Sequence, residues 1–472
     1  MEKGSNYAAF FICVYDFKSL KLSSALEKPE SVSLFEAMKW WLKLGFISFG
    51  GPAGQISMMH QELVERRRWI SENRFLHALN YTMVLPGPEA QQLATYIGWL
   101  LHGVKGGLIA GFLFVLPSLF ILIALTWIYL EYGNTQMVAG VLYGVKPAVT
   151  AIVLFAAYRI GSRALKNNVL RAMAVLAFIA IFFFNIPFPI IVLGAGVLGL
   201  LGTKVAPQYF SGSLHSSEAH DSYGPALIDD DTPVPCHIKF SWARLISFVA
   251  AGLAIGMGAM ALLFFKYSWD HTLTQMGVFF TKAALVTFGG AYAVLPYVYQ
   301  GGVDQFSWLT GTQMIDGLAL GETTPGPLIM VVTFVGFVGG WTKEIFGPEM
   351  LPLAGIAAAC VATFFTFLPS FLFIFIGGPA IEATREDLHF TAPLLGITAA
   401  VVGVIINLAI FFAYHVLWPN GFAGMEEMIG KIDWMSLAVG IVAFIALFKF
   451  KIGIVKVILA CALFGWLISF MA

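Results

Sequence analysis

Phe49-Gly50-Gly51-Pro52 and Pro86-Gly87-Pro88 return 239 residues later as Phe288-Gly289-Gly290-Ala291 and Pro325-Gly326-Pro327. At the same offset Lys43 meets Lys282, Ser48 meets Thr287 and Trp69 meets Trp308. Further on, Leu116-Pro117-Ser118 returns as Leu368-Pro369-Ser370, the offset having grown to 252 through an insertion near Gly347. A register held from Lys43 to Pro88 reads as an internal duplication. Neither motif can continue a helix, because proline lacks an N–H and its ring clashes with the preceding turn. Each half should therefore carry two interrupted segments.

Composition sets the solvent of those segments. Of 472 residues, 58% are hydrophobic and only 11% charged, against about 25% charged in soluble domains. There is too little charge to cover a water-facing surface, so a soluble enzyme is excluded. Lys+Arg and Asp+Glu each number 27; a neutral chain offers nucleic acid no net field. Cys13, Cys236, Cys360 and Cys461 are scattered without a C-x-x-C pair and read as packing residues, not bridges or metal ligands. No H-E-x-x-H or P-loop occurs, so no catalytic residue, cofactor or metal is expected.

Uncharged runs long enough to cross about 30 Å of hydrocarbon lie at 108–130, 245–265, 351–376 and 390–413. Shorter runs pair at 172–184 with 186–203, and at 434–448 with 457–472, while 137–158 is apolar except for Lys146. The expected fold is an all-α membrane protein of two inverted-topology repeats with broken, re-entrant helices and about 13 membrane segments. Its divisions are an N-terminal peripheral segment (1–33), a first repeat (34–203), a polar linker (204–241), an extra inverting span (242–271) and a second repeat (272–472). The Tyr7–Tyr15 run is closed by Asp16 with no cleavage site after it, hence peripheral rather than a signal peptide. The linker's Asp229-Asp230-Asp231 run reads as hydrated, without chemistry. Arg66, Arg67 and Arg68 between the first pair of motifs have no basic counterpart in the second. With Arg159, Arg163, Lys166, Arg171, Lys449, Lys451 and Lys456 they mark inside loops. The N-terminus is then inside and the C-terminus outside, with Lys266 and Lys343 on the outer face.

Broken backbone in a bilayer survives where it is buried in protein or lines a wet cavity. Half-helices starting after Pro88 and Pro327 would aim N–H groups and positive dipole ends at that place, which suits an anion; a ligand-free kink is the plain alternative. Candidate binding residues are Lys43, Ser48, Gly50, Gly51, Pro86, Gly87, Pro88 and Lys146 in the first half. In the second they are Lys282, Thr287, Gly289, Gly290, Thr323, Thr324, Pro325, Gly326 and Pro327. Glu89, Asp316 and Glu322 are candidate coupling or gating groups, since an ionisable residue in an apolar segment costs about 2.5–3.5 kcal/mol and normally faces a pathway or a partner. A lysine can also snorkel to the interface, and the polar side chains can simply bond helix to helix.

The ordered pair of motifs, present twice, resembles the chromate ion transporter family in its long, duplicated form. The likeness runs from about Leu34 to Trp466, excepting the linker. It implies a multi-pass cell-membrane exporter of chromate, with proton coupling and thirteen spans in inverted halves. The second half departs from the pattern, with Ala291 in place of Pro52 and Leu328 opposite Glu89, so equal contributions to a symmetric site are not implied. Expected partners are a chromate- or sulfate-like oxyanion, protons, the bilayer and a second copy of the chain. Uptake or exchange of sulfate, and a non-transporting structural or receptor role, are the competing readings.

Overall fold

The computed structural model describes residues 28–49, 51–205, 207–210, 223–232, 240–288, 290–383, 391–421 and 425–470. Gly50, Gly289 and the peripheral segment before residue 28 lie outside them. The described residues form helices joined by short turns. Six helices among them are long and apolar enough to cross a membrane, with four shorter apolar ones beside them.

Helix α1 (Leu34–Ile47) starts at a Ser33 cap, whose hydroxyl accepts from the Glu36 N–H. It ends at Ser48, and α2 (Gly51–His60) runs on into a π turn over Gln61–Arg66. The π turn ends beside the start of α1: Arg67 Nη1 donates to Glu36 Oε1 at 3.0 Å. The first interrupted segment therefore folds back to the end at which it began. Helix α3 (Glu72–Val84), capped by Ser71, leads into the Pro86-Gly87-Pro88 break and then α4 (Glu89–Tyr132). Backbone angles leave the helical range at His102 and Gly103, and α4 turns back on itself there. A Cβ on Gly98 would touch the Gly106 carbonyl at 2.6 Å, so the two arms are packed backbone to backbone. His102 Nε2 at the turn sits 2.8 Å from the Val32 carbonyl, at the same end as the start of α1.

From there α4 runs to the far end. Helices α5 (Gln136–Ala164), α6 (Asn168–Phe184) and α7 (Phe188–Val205) complete the first half, and α8 (Trp242–Tyr267) follows the linker. The second half repeats the plan: α9 (Thr272–Val286), α10 (Ala291–Tyr299), a π turn over Gln300–Gln305, and α11 (Gly311–Thr323). After the second break come a 3-10 turn (Leu328–Met330), α12 (Val331–Thr342) and α13 (Leu351–Ala383). Helices α14 (Thr391–Leu417), α15 (Trp434–Phe448) and α16 (Ile454–Ile468) close it.

The duplication extends to single hydrogen bonds. Both π turns start 239 residues apart. Trp69 N donates to Leu63 O at 2.7 Å, and Trp308 N to Gly302 O at 2.7 Å. Arg68 and Ser307, at matching positions, both take positive φ, 51° and 50°. Thr310 caps α11 as Ser71 caps α3.

The polar linker is engaged rather than merely hydrated. Leu227 N and Ile228 N donate to Arg68 O and Trp69 O, and Ser71 N donates to Ile228 O. Asp230, in the acidic run, accepts from Ser71 Oγ at 2.6 Å and Asn73 Nδ2 at 2.7 Å. Its carboxylate serves the first turn of α3, where the helix dipole favours negative charge.

Candidate functional site

The breaks of the two halves meet, and each bonds its opposite number. Gly87 N donates to Thr287 O at 2.8 Å, and Gly326 N donates to Ser48 O at 3.0 Å. Gly87 corresponds to Gly326 and Ser48 to Thr287, so the contact is self-complementary, as across a two-fold axis. The Leu-Pro-Ser elements join crosswise as well. A Cβ on Gly87 would lie 2.6 Å from Ser370 Oγ, and one on Gly326 would lie 2.7 Å from Ser118 Cβ. Both glycines have positive φ, 120° and 106°, and only glycine fits such backbone against such neighbours.

This interlock uses the two glycine amides, so they do not face a ligand. What remains is a nest of side chains. Gln55 Nε2 donates to Gly326 O at 2.6 Å and to Ser48 O at 3.3 Å, and Gln92 Nε2 to Pro86 O at 2.8 Å. The Oγ atoms of Ser48, Ser118 and Ser370 are buried and have no hydrogen-bond partner among the described residues, like Oε1 of Gln55, Gln91 and Gln92. A buried polar atom left unpaired costs about 1–3 kcal/mol, and three hydroxyls in that condition lie round one crossing point. Each hydroxyl can turn its hydrogen toward an oxyanion.

Glu89 opens the half-helix after Pro88, and its Oε1 would lie 3.8 Å from a Cβ on Gly290. Its carboxylate thus faces the opposite break, and among the described residues it forms no ion pair. Leu328, at the matching position, starts an apolar 3-10 turn. Of the predicted hydroxyls, Thr287 bonds Ala283 O, Thr323 bonds Ala319 O, and Thr324 bonds Gly321 O; these satisfy helix backbone. Gly51, Pro86, Pro88, Pro325 and Pro327 shape the breaks. Glu322 is buried and accepts from the Tyr292 hydroxyl.

Not all the predicted residues gather there. Lys43 lies on the exposed face of α1, 6.0 Å from the Trp40 ring centre, and Lys282 on the exposed face of α9. Lys146 stands toward the far end, 3.7 Å from Asp316. Asp316 also accepts from Tyr129 Oη at 3.0 Å. Both line an open cavity of about 410 Å³ with Asn134, Thr310, Thr312 and Gln313. Sequence reasoning left out Ser118, Ser370 and Gln55. The repeated Leu-Pro-Ser element was the signal for the two serines.

Residues 35–200 and 274–466 match the family described as Chromate transporter. The chain belongs to the chromate transporter family. The unmatched stretch between the two matches holds the linker and α8. A Pseudomonas aeruginosa protein named Chromate transport protein is 33% identical over 451 residues, covering 93% of this chain and 94% of that protein. The Chromate transport protein of Cupriavidus metallidurans is 29% identical over 391 residues, 83% and 85% of the respective lengths. The Probable chromate transport protein of Synechococcus elongatus is 29% identical over 418 residues, 86% and 92%. No solved structure matches the chain. As a member of this family it is a multi-pass membrane transport protein, not an enzyme. The interlocked breaks lie one in each matched stretch.

Proposed function

We propose that the protein is a secondary transporter that exports chromate, with the oxyanion held at the crossing of the two breaks. The observation that carries this is the set of buried, unpaired hydroxyls of Ser48, Ser118 and Ser370 around the reciprocal Gly87–Thr287 and Gly326–Ser48 bonds. The half-helix N-terminus after Pro88 adds its first-turn amides. The chromate transport proteins similar to the chain supply the substrate class.

Two inverted repeats fit the parity of the contacts. The starts of α1 and α3, the turn of α4 and the linker share one end. Gln136 and Ser469, which bond each other, share the other with Tyr129 and Asp316. Arg66, Arg67, Arg68, Arg159, Arg163, Lys166, Lys449 and Lys451 fall toward the first end, which makes it the cytoplasmic face. The first half then dips twice from inside, the second twice from outside, and α8 supplies the inverting crossing. The N-terminus is inside and the C-terminus outside.

The energetics favour export. Two negative charges moving outward past an inside-negative potential release about 4.6 kcal/mol per 100 mV, at about 2.3 kcal/mol each. That sustains a gradient of roughly two-thousand-fold. A proton is not required, and Glu89, Asp316 and Glu322 then gate the path or hold cations in place. Uptake of sulfate would instead need cations to offset the same charge. Proteoliposomes loaded with chromate, with sulfate as competitor, test this under an imposed potential and then a pH gradient. Potential-driven chromate flux is expected. Flux that needs a pH gradient would give the carboxylates a coupling role, and no flux under either gradient would end the transporter reading.

A further inference from the structure

Arg74 and Glu382 form a buried ion pair, Nη1 to Oε2 at 2.8 Å, with side chains 5% and 2% exposed. The pair joins α3 of the first half to the end of α13 in the second, across 308 residues of chain. Tyr96 Oη donates to the other Glu382 oxygen at 2.5 Å, and Arg74 Nη2 donates to Thr232 O of the linker at 3.2 Å. Above Arg74 the linker is tied down by Asp230 to Ser71 and Asn73.

The far end holds the image of this cluster. Ser71, Asn73, Arg74 and His77 correspond, 239 residues on, to Thr310, Thr312, Gln313 and Asp316; Glu382 corresponds, at the later offset of 252, to Leu130. All five of those counterparts line the cavity of about 410 Å³. The same helix-to-helix contact, repeated by pseudo-symmetry, is thus shut and strapped at the basic end and open at the other. The Lys146–Asp316 pair there, at 3.7 Å, leaves the cavity unbridged. Two images of one contact in opposite conditions are what alternating access requires of a duplicated transporter.

We propose that the Arg74–Glu382 pair, with the strap of residues 227–232 over it, is the closed inner gate of the path, and that the Lys146-lined cavity is its open outer counterpart. This rests on the transport reading above. Thr82 is fully buried two turns beyond Arg74 on α3, toward the break. A Thr82→Cys reporter in a chain whose four cysteines are replaced reads the gate with a membrane-impermeant maleimide added from the cytoplasmic side. A Thr312→Cys reporter, on the exposed cavity wall, serves as the outer control and should label readily from outside.

Thr82→Cys should be protected with the gate intact. It should label about tenfold faster or more once Glu382→Gln or Asp230→Ala is added, since labelling follows the open fraction. The exchange Arg74→Glu with Glu382→Arg should restore protection. Asp230 is at the surface, so its variant keeps the core intact; Arg74→Gln with Glu382→Gln leaves a neutral pair should Glu382→Gln alone fail to elute as a single species. Rapid labelling of Thr82→Cys behind an intact pair, or unchanged labelling in the Asp230→Ala and neutral-pair variants, would overturn the gate. Labelling needs no chromate, so gated labelling without chromate flux sinks the substrate assignment alone, and flux without gating sinks this proposal alone.

Discussion

The hydroxyls of Ser118 and Ser370 give the proposed site its sharpest test. Each is buried without a partner, which costs the empty protein about 1–3 kcal/mol. Replacing either with alanine removes an unpaired group and only one heavy atom. The unliganded variant should therefore melt at the same temperature as the parent or slightly higher. If the hydroxyl donates to a dianion, the same change removes a charge-assisted bond of about 1.5–3 kcal/mol, which is roughly ten- to hundredfold in affinity. Melting of purified protein in detergent reads both quantities. At a chromate concentration near a hundred times its Kd, a ligand that binds only the folded state adds about 2.7 kcal/mol. Ser118→Ala and Ser370→Ala should lose most of that stabilisation at the concentration that saturates the parent. Variants that melt lower without chromate yet keep the full chromate shift would refute the argument, because the hydroxyls would then be holding helices together.

Gly87→Ala and Gly326→Ala combine a strained positive φ, about 1–3 kcal/mol, with an overpacked contact of similar size, so both should lower the melting temperature sharply. Ser118→Gly should rescue part of the loss in Gly326→Ala, since the clash is with the Ser118 Cβ. Lys146→Ala should slow chromate flux and weaken its apparent affinity, whereas Lys43→Ala and Lys282→Ala, on exposed helix faces, should leave both within about twofold of the parent. Glu89→Gln should retain flux under a membrane potential and raise affinity for the dianion, because a carboxylate no longer competes for the half-helix N-terminus; a complete loss of potential-driven flux would contradict that.

The duplication, the positions of the breaks and the starts of the half-helices at Glu89 and Leu328 are legible in the sequence because proline and glycine act locally. Which half each break bonds is not. Gly87 and Thr287 are far apart in the chain, and nothing in their spacing says that the copies cross. The exposure of Lys43 is legible in the sequence. Ala37, Trp40, Trp41, Leu44 and Gly45 form the buried stripe of α1, a spacing of three and four that leaves Lys43 off the packed face. Lys282 falls off the α9 stripe in the same way, beside buried Ala283 and Ala284. The contacts of Asp230 are illegible for the opposite reason. An acidic run in a polar linker has the composition of a hydrated segment, and its role appears only when Ser71 and Asn73 are brought to it.

On the proposed reading, divergence between the copies decides what the duplicated cradle can hold. Gln55 and Gln92 reach across or cap the breaks in the first half, while Val294 and Val331 stand at their counterparts in the second. Glu89 faces Leu328 in the same way. A symmetric cradle would offer two equal half-sites on either side of the axis, and two dianions there would repel each other strongly in a medium of low dielectric. With the amides kept on one side alone, a single half carries Gln55 and Gln92, so on the proposed reading one oxyanion suffices to satisfy it. The gates diverge along with the site. A buried ion pair is expensive to break, about 3–5 kcal/mol when one partner is lost, and the pair buried on both sides is at the basic end, where Arg74 and Glu382 at 2.8 Å replace the Gln313 and Leu130 of the other. The Lys146–Asp316 pair at that other end is longer, 3.7 Å, with a partly exposed lysine. On the gate reading, the empty protein therefore rests shut toward the cytoplasm. An oxyanion loading from that side has to supply the opening, which it can do by taking over the Arg74 guanidinium from Glu382.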